Sequence, residues 1–446
     1  MAKIRKALII LIVFSLAACA ARRYPAITPL PHVRPEFEKA QFWIDRFPQS
    51  GSIILSADQI REMNQAALKA DAGLIDIMRL QSVSRGRMES FFSALRKSCE
   101  KARYYDHSSF PLSHTFYEEI FESMALDRMP SIVVPSAGLI TRETDMRELP
   151  TDETALKKPF DTEFDQFQYA RLECGTPVVI LHYSRAGDWC LLRTSFAMGW
   201  VKAADVAEGT KEDVLRFVHA NPLVVTGDRS CVYADRSLRK YAFSLPMGAS
   251  LPFIAQNTEY YQVIMPWRDA DGRLRFADGF IPASSDVHVG YLPYTQAAVL
   301  SQAFKLLHRP YGWGGMFGGR DCSRFLRDVF RCFGFNMPVN SFRQSNFNEA
   351  KRRDLAGLED SRKTAILGEY QGRPALLYMK GHIMLLLGVV EGRVYIIHST
   401  WAYRESSWAG EDLFYIGKVV VSDASLGGQG RSGSLLERIS AVTAID

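Results

Sequence analysis

Three residues in the last third of this 446-residue chain have the types and order of a thiol nucleophile and its proton carriers: Cys322, His382 and His398. Cys322 stands in "GGRDCSRFLRDVF", where Phe325, Leu326, Val329, Phe330 and Phe333 fall on one face of an amphipathic helix. Asp321 is placed as its N-cap. A cysteine in the first turn lies near unpaired backbone N–H groups and the positive end of the helix dipole, which favours the thiolate, the reactive species. The glycines before it let the chain turn sharply. Taken alone, the same position suits a buried structural cysteine. A nucleophile needs a base and a third group to orient that base. His382 opens an apolar strand behind Gly381, and His398 ends "VYII" on the next strand.

Hairpin geometry supports the pair only in part. A two-residue Glu391-Gly392 turn sets His398 opposite Leu385, and a three-residue loop sets it opposite Leu386. Only the longer loop puts both imidazoles on one sheet face, because side chains alternate. The offset is then four residues, roughly 13 Å along a strand, which twist, a bulge and long side chains must close.

The elements around these residues indicate several domains, as the length requires. Residues 1–18 have a basic start (Lys3, Arg5, Lys6) and an apolar run to Ala18, too short to cross a bilayer and arranged as an export signal. Leu16-Ala17-Ala18-Cys19 resembles the lipobox of bacterial lipoproteins, with Cys19 as the acylated residue. Ala20 behind it favours the outer membrane, facing the periplasm. Residues 19–34 read as a tether. Residues 35–130 are mainly helical, with Ser56 and Gln59 as a capping box. Residues 131–209 and 210–290 carry two sets of short strands that match as a diverged repeat: Gly175 with Gly248, Trp189 with Tyr260, Gly199-Trp200 with Gly279-Phe280. Residues 291–446 place helices before strands, an α+β domain.

Composition narrows the chemistry. The chain is 47% apolar and 23% charged, as a globular protein is, and its formal charge of +5 owes three units to the leader. No basic stripe points to nucleic acid. No CxxC or HxxxH spacing points to zinc, and neither a metal nor an organic cofactor is expected. Cys322 and Cys332 are about 15 Å apart along one helix, too far to bridge. Cys174 and Cys190 flank a hairpin and are the one candidate disulfide.

"YGWGG", "DCSRF", "GHIMLLLG" and "IIHS" together resemble the NlpC/P60 superfamily of papain-like cell-wall peptidases. The two β sections resemble bacterial SH3-like domains, and the whole order resembles one multidomain subgroup of that superfamily. Its members cut the γ-D-glutamyl–diamino acid bond of peptidoglycan stem peptides, typically to meso-diaminopimelate. The resemblance implies Cys322 as nucleophile, His382 as base and acid, and His398 as the orienting group. It implies Tyr311 at the oxyanion, and Asp321, Ser323 and Trp313 at a subsite for the free amine of an N-terminal L-Ala. "PVNSFRQ" (338–344) follows the family's Pro-x-x-Ser-x-x-Gln pattern. Arg324 replaces a common Gly, "GRPALLY" replaces the usual Gly-Asp-Leu, and Met198 stands where relatives often have Tyr. A same-fold amidase or acyltransferase, or a wall-binding lipoprotein without activity, remain alternatives at this point. The first SH3-like domain is expected to wall one side of the cleft.

Overall fold

Hydrophobic burial divides the first part of the chain between two cores. The structure, a computed structural model, describes residues 23–69, 73–408 and 410–446, so the leader and Cys19 lie outside the described residues. β1 (Arg23–Pro25) pairs in parallel with Leu413–Tyr415 near the C-terminus. Leu30, Val33, Phe37, Trp43 and Ile60 enter the same core as the last section. α1 (Ala57–Lys69) starts with the expected capping box, Ser56 N donating to Gln59 Oε1 at 2.8 Å and Gln59 N to Ser56 Oγ at 3.3 Å.

α2 (Arg85–Ala102) and α3 (His114–Ser123), capped by Ser84 and Ser113, pack elsewhere. Their Met88, Phe92, Cys99 and Tyr117 share a core with Phe167, Leu181, Leu191 and Trp200 of the first β section. The expectation of one helical domain over 35–130, behind a separate tether, is therefore corrected. Two helices with one apolar face each close no core alone and must borrow a sheet. The described part of the tether is docked on the last domain.

Residues 136–209 and 222–289 each form a seven-stranded antiparallel sheet. The repeat is visible residue by residue. Gly175 and Gly248 both hold left-handed backbone (φ +87° and +77°) ahead of the strands Pro177–Tyr183 and Ser250–Gln256. Trp189 and Tyr260 open the following strands, and Gly199-Trp200 and Gly279-Phe280 lie in the ones after. The insertion in the second copy lengthens its central hairpin, where Tyr260–Arg268 pairs along its length with Leu274–Pro282. α4 (Lys211–His219) links the two sheets. Cys174 and Cys190 are free thiols, each buried in a different core, so the candidate disulfide does not form.

The last section carries α5 (Gln296–Lys305) and α6 (Cys322–Arg331) ahead of its sheet. That sheet is built from β1 with β2 (Arg352–Asp354), β3 (Ala375–Met379), β4 (His382–Val390), β5 (Arg393–Ser407), β6 (Gly410–Asp423) and β7 (Ala441–Ala444). The strand order is β1-β6-β5-β4-β3-β7-β2. α6 is buried from Cys322 to Phe330 and packs on β4 and β5. The whole is a multidomain α+β protein, as read from the order of its elements.

Candidate active site

α6 begins where the sequence places it. Asp321 Oδ1 accepts from Arg324 N at 2.8 Å, and Asp321 Oδ2 holds Gly314 N at 3.1 Å, so one carboxylate caps the helix and fixes the glycine loop. That loop needs its glycines. A Cβ on Gly312 would meet Met316 O at 2.3 Å, and one on Gly319 would meet Gly312 N at 2.8 Å. Gln344 closes the other side, its Nε2 donating to Ser323 O and Pro338 O at 2.8 Å each, which gives the Pro-x-x-Ser-x-x-Gln pattern its structural use.

Cys322 is 9% exposed at the start of α6. Backbone N–H groups of Ile383, Ser323 and Cys322 itself favour its thiolate, yet burial and the Asp321 carboxylate prevail and push the thiol up to about 12. The expectation that the helix start alone would lower this thiol is corrected: desolvation of the charged form outweighs three N–H groups.

His382 and His398 meet with Nε2 to Nδ1 at 2.7 Å. The register explains how. The turn is the two-residue one, with Val390 opposite Arg393, but a one-residue bulge at Leu387 shifts the ladder so that Leu385 faces Ile397. One step further sets His398 opposite Met384, two residues from His382 on the same face. The two-residue turn alone would leave His398 opposite Leu385, three residues away and on the other face; the bulge removes one more residue, and the expected same-face offset of four becomes two. On the other side Met379 pairs with His382, so Lys380-Gly381 makes a tight turn with Gly381 at φ +81° despite the altered "GRPALLY". Burial, then the nearby Arg438 cation, hold His382 down at about 4. Burial likewise keeps His398 well below the usual histidine range. Both imidazoles are neutral at pH 7.

Tyr311 is raised far above the usual tyrosine range by burial and by the negative charge available at Asp321, Cys322 and Glu163. It keeps its hydroxyl hydrogen and can donate it. Trp313 packs edge-on to Phe164 at 5.5 Å between ring centroids, and its indole N–H is buried without a hydrogen-bond partner. Ser323 is turned inward, its hydroxyl 2.8 Å from both Asp321 Oδ1 and Val339 O. Of the residues singled out in the sequence, His382 and His398 bond to each other, the backbone N–H of Ile383 beside His382 reaches Cys322, and Tyr311 lies near both Asp321 and Cys322, while Ser323 braces Asp321 from behind.

Sequence reasoning expected a wall from the first SH3-like section but named none of its residues. The loop 155–167 of the first SH3-like section brings Phe164 to 6.4 Å from Tyr311 and 4.9 Å from Trp401, centroid to centroid. Its neighbour Glu163 accepts the indole N–H of Trp401. Buried Asp165 fixes this loop, accepting from Arg147 Nη1 at 2.5 Å and from the backbone N–H of Ala155 and Phe167 at 2.9 Å each. The first SH3-like section thus packs directly against Tyr311, Trp313 and Trp401. Met198, the other departure there, packs on the core of α2 and α3. Arg324 leaves the helix start regular and reaches out to Arg171 O at 2.8 Å, fastening α6 to the same SH3-like section.

Comparison with known proteins identifies two of the sections. Residues 308–401 match the model of the NlpC/P60 family, and residues 155–202 that of an SH3 domain of the SH3b1 type. Among solved structures, the fold resembles an NlpC/P60 endopeptidase from Photobacterium damselae subsp. piscicida. The TM-score is 0.72 at 18% identity, over 88% of this chain and 94% of that one. An NlpC/P60 family protein from Bacillus cereus ATCC 10987 aligns over 69% of this chain and 98% of its own, at 16% identity and a TM-score of 0.46. No curated protein matches the chain.

Proposed function

Because this chain carries an NlpC/P60 domain behind an SH3 domain of the SH3b1 type, we propose that it is a cysteine peptidase of cell-wall peptides. The bond it cuts is the γ-D-glutamyl–diamino acid link, with meso-diaminopimelate as the diamino acid, in short stem peptides with a free N-terminal L-Ala. The observation that carries this reading is the hydrogen bond between His382 and His398 beside a cysteine at a helix start.

The reaction follows from the groups present. Cys322 passes its hydrogen to His382 as sulfur attacks the carbonyl carbon. The oxyanion is met by the Tyr311 hydroxyl and backbone N–H groups at the start of α6, each such donor contributing about 3 kcal/mol. The C–N bond breaks as His382 returns the proton to the departing amine, leaving a thioester. Water, deprotonated by His382, then releases the free acid and the thiol. Asp321 and Glu163 supply negative charge for the substrate's ammonium group, and the Phe164–Trp401 wall favours short peptides. Lipid at Cys19 would hold the protein on the outer membrane facing the periplasm, which palmitate labelling lost in Cys19→Ala would test.

The decisive experiment is mass spectrometry of L-Ala-γ-D-Glu-meso-diaminopimelate incubated with the mature protein and with Cys322→Ala. Release of L-Ala-D-Glu by the first alone is expected. An intact peptide after incubation with folded, reduced protein would overturn the assigned bond.

A further inference from the structure

The hydrogen-bond chain does not stop at His398. On β6, Val420 stands directly opposite His398, and Ser422 lies two residues beyond it on the same sheet face. Ser422 Oγ is 3.0 Å from His398 Nε2, and both residues are buried, with Ser422 at 0% and His398 at 1% exposure. No other side chain among the described residues bonds to either atom.

A neutral imidazole has one N–H and one lone pair, so the two contacts of His398 are coupled. Suppose Nε2 of His398 carries the hydrogen and gives it to Ser422. Nδ1 of His398 must then accept from Nε2–H of His382, and Nδ1 of His382 is left with its lone pair. Suppose instead that the serine hydroxyl donates. Nδ1–H of His398 then points at Nε2 of His382, and the only hydrogen of His382 sits on Nδ1, where it blocks proton uptake.

We propose that Ser422 is a positioning residue that accepts the Nε2–H of His398 and so fixes the tautomer in which Nδ1 of His382 is the base. This rests on the thiol-peptidase reading of Cys322 and His382. When His382 takes the Cys322 proton, both its nitrogens carry hydrogen, and the same chain His382 Nε2–H to His398 Nδ1, His398 Nε2–H to Ser422 Oγ holds without moving a heavy atom. Burial, which keeps both rings neutral in the resting site, makes a partner for each N–H the more necessary.

The test is long-range proton–nitrogen NMR of protein labelled with nitrogen-15 histidine, in wild type, Ser422→Ala and Ser422→Thr, combined with steady-state kinetics on the tripeptide. The wild type should show Nε2–H on both His382 and His398. Ser422→Ala should move His398 toward Nδ1–H and lower kcat roughly 10- to 100-fold with KM within about twofold. Ser422→Thr should restore the Nε2–H tautomer and most of kcat. A wild-type His398 carrying Nδ1–H, or a Ser422→Ala protein with unchanged tautomers and kcat, overturns the proposal. The spectra read hydrogens and not turnover, so they decide the matter even if the wild-type protein cleaves no tripeptide.

Discussion

Trp401 donates its indole N–H to the carboxylate of Glu163, tying β5 of the catalytic sheet to a loop of the first SH3-like section. Phe164, next in the chain, fills the angle between Trp401, Trp313 and Tyr311. Residues of the first SH3-like section and of the last section therefore meet beside Tyr311, and on the proposed function this is where substrate length and N-terminal charge would be read.

Phe164→Ala removes that boundary. We expect kcat/KM for the free-amine tripeptide to fall roughly tenfold, the loss of about 1.4 kcal/mol of packing. An N-acetylated tripeptide, which the proposed function expects the wild type to exclude, should become a measurable substrate. Liquid chromatography of both digests checks this, and unchanged selectivity between the two peptides would assign the wall no role in substrate choice.

The titration directions predict an unusual pH profile. His382 is held down at about 4, so its base form persists as pH falls below the ordinary histidine value of about 6.5. The acid limb of kcat/KM should accordingly lie well below pH 6. Cys322 is pushed up to about 12, so little thiolate stands at neutral pH. Iodoacetamide alkylation of Cys322 should accelerate about tenfold per pH unit between pH 7 and 10. A plateau near pH 7 would reveal a standing thiolate and contradict the neutral pair.

Glu173 makes stability depend on acid. Burial alone would raise its carboxyl, but Arg331, Arg327 and Arg324 outweigh it and hold it at about 2. A carboxylate depressed in the folded state stabilises the protein fully above its unfolded value of about 4.3. That contribution is lost as pH falls through the folded value. Urea midpoints should drop between pH 5 and 2 in the wild type, and less steeply in Glu173→Gln. Arg324→Gly, which also cuts the bond to Arg171 O, should cost roughly 3 kcal/mol at pH 7 in the same assay.

Gly312→Ala tests the loop before Cys322. Its Cβ would lie 2.3 Å from Met316 O, backbone against backbone, so the loop must shift and carry Tyr311 and Trp313 with it. Activity should fall at least about 100-fold while circular dichroism stays near wild type. Full activity would show that the loop does not position the oxyanion donor.

Much of this arrangement was legible in the sequence. The apolar spacing after Cys322, the Asp321 cap, the paired strands and the Gly175/Gly248 repeat all depend on local rules of period and backbone, and all appear in the structure. What escaped depends on register and on contacts distant in sequence. The bulge at Leu387 is marked in "IMLLLGVV" only by Gly388, a glycine inside a strand, which says that the ladder breaks but not how the shift sets the separation of the two imidazoles. The helices at 85–123 look like part of one domain until their apolar faces find Phe167 and Trp200. Glu163 and Phe164 sit in an unpatterned loop, and only the fold carries them to Trp401. The thiol's direction of titration reversed because a helix start is visible in the sequence and its desolvation is not.

The buried Asp165 that clasps Arg147 and two backbone N–H groups has a consequence for how ligands are sorted. A wall that orders only when substrate arrives would draw its ordering entropy from the binding free energy. Here Asp165 already holds the loop in the free protein, so little of that ordering is left for binding to supply. On the proposed function, such a wall would sort peptides by admission at a preset gauge, and a misfit would be refused before any chemistry began.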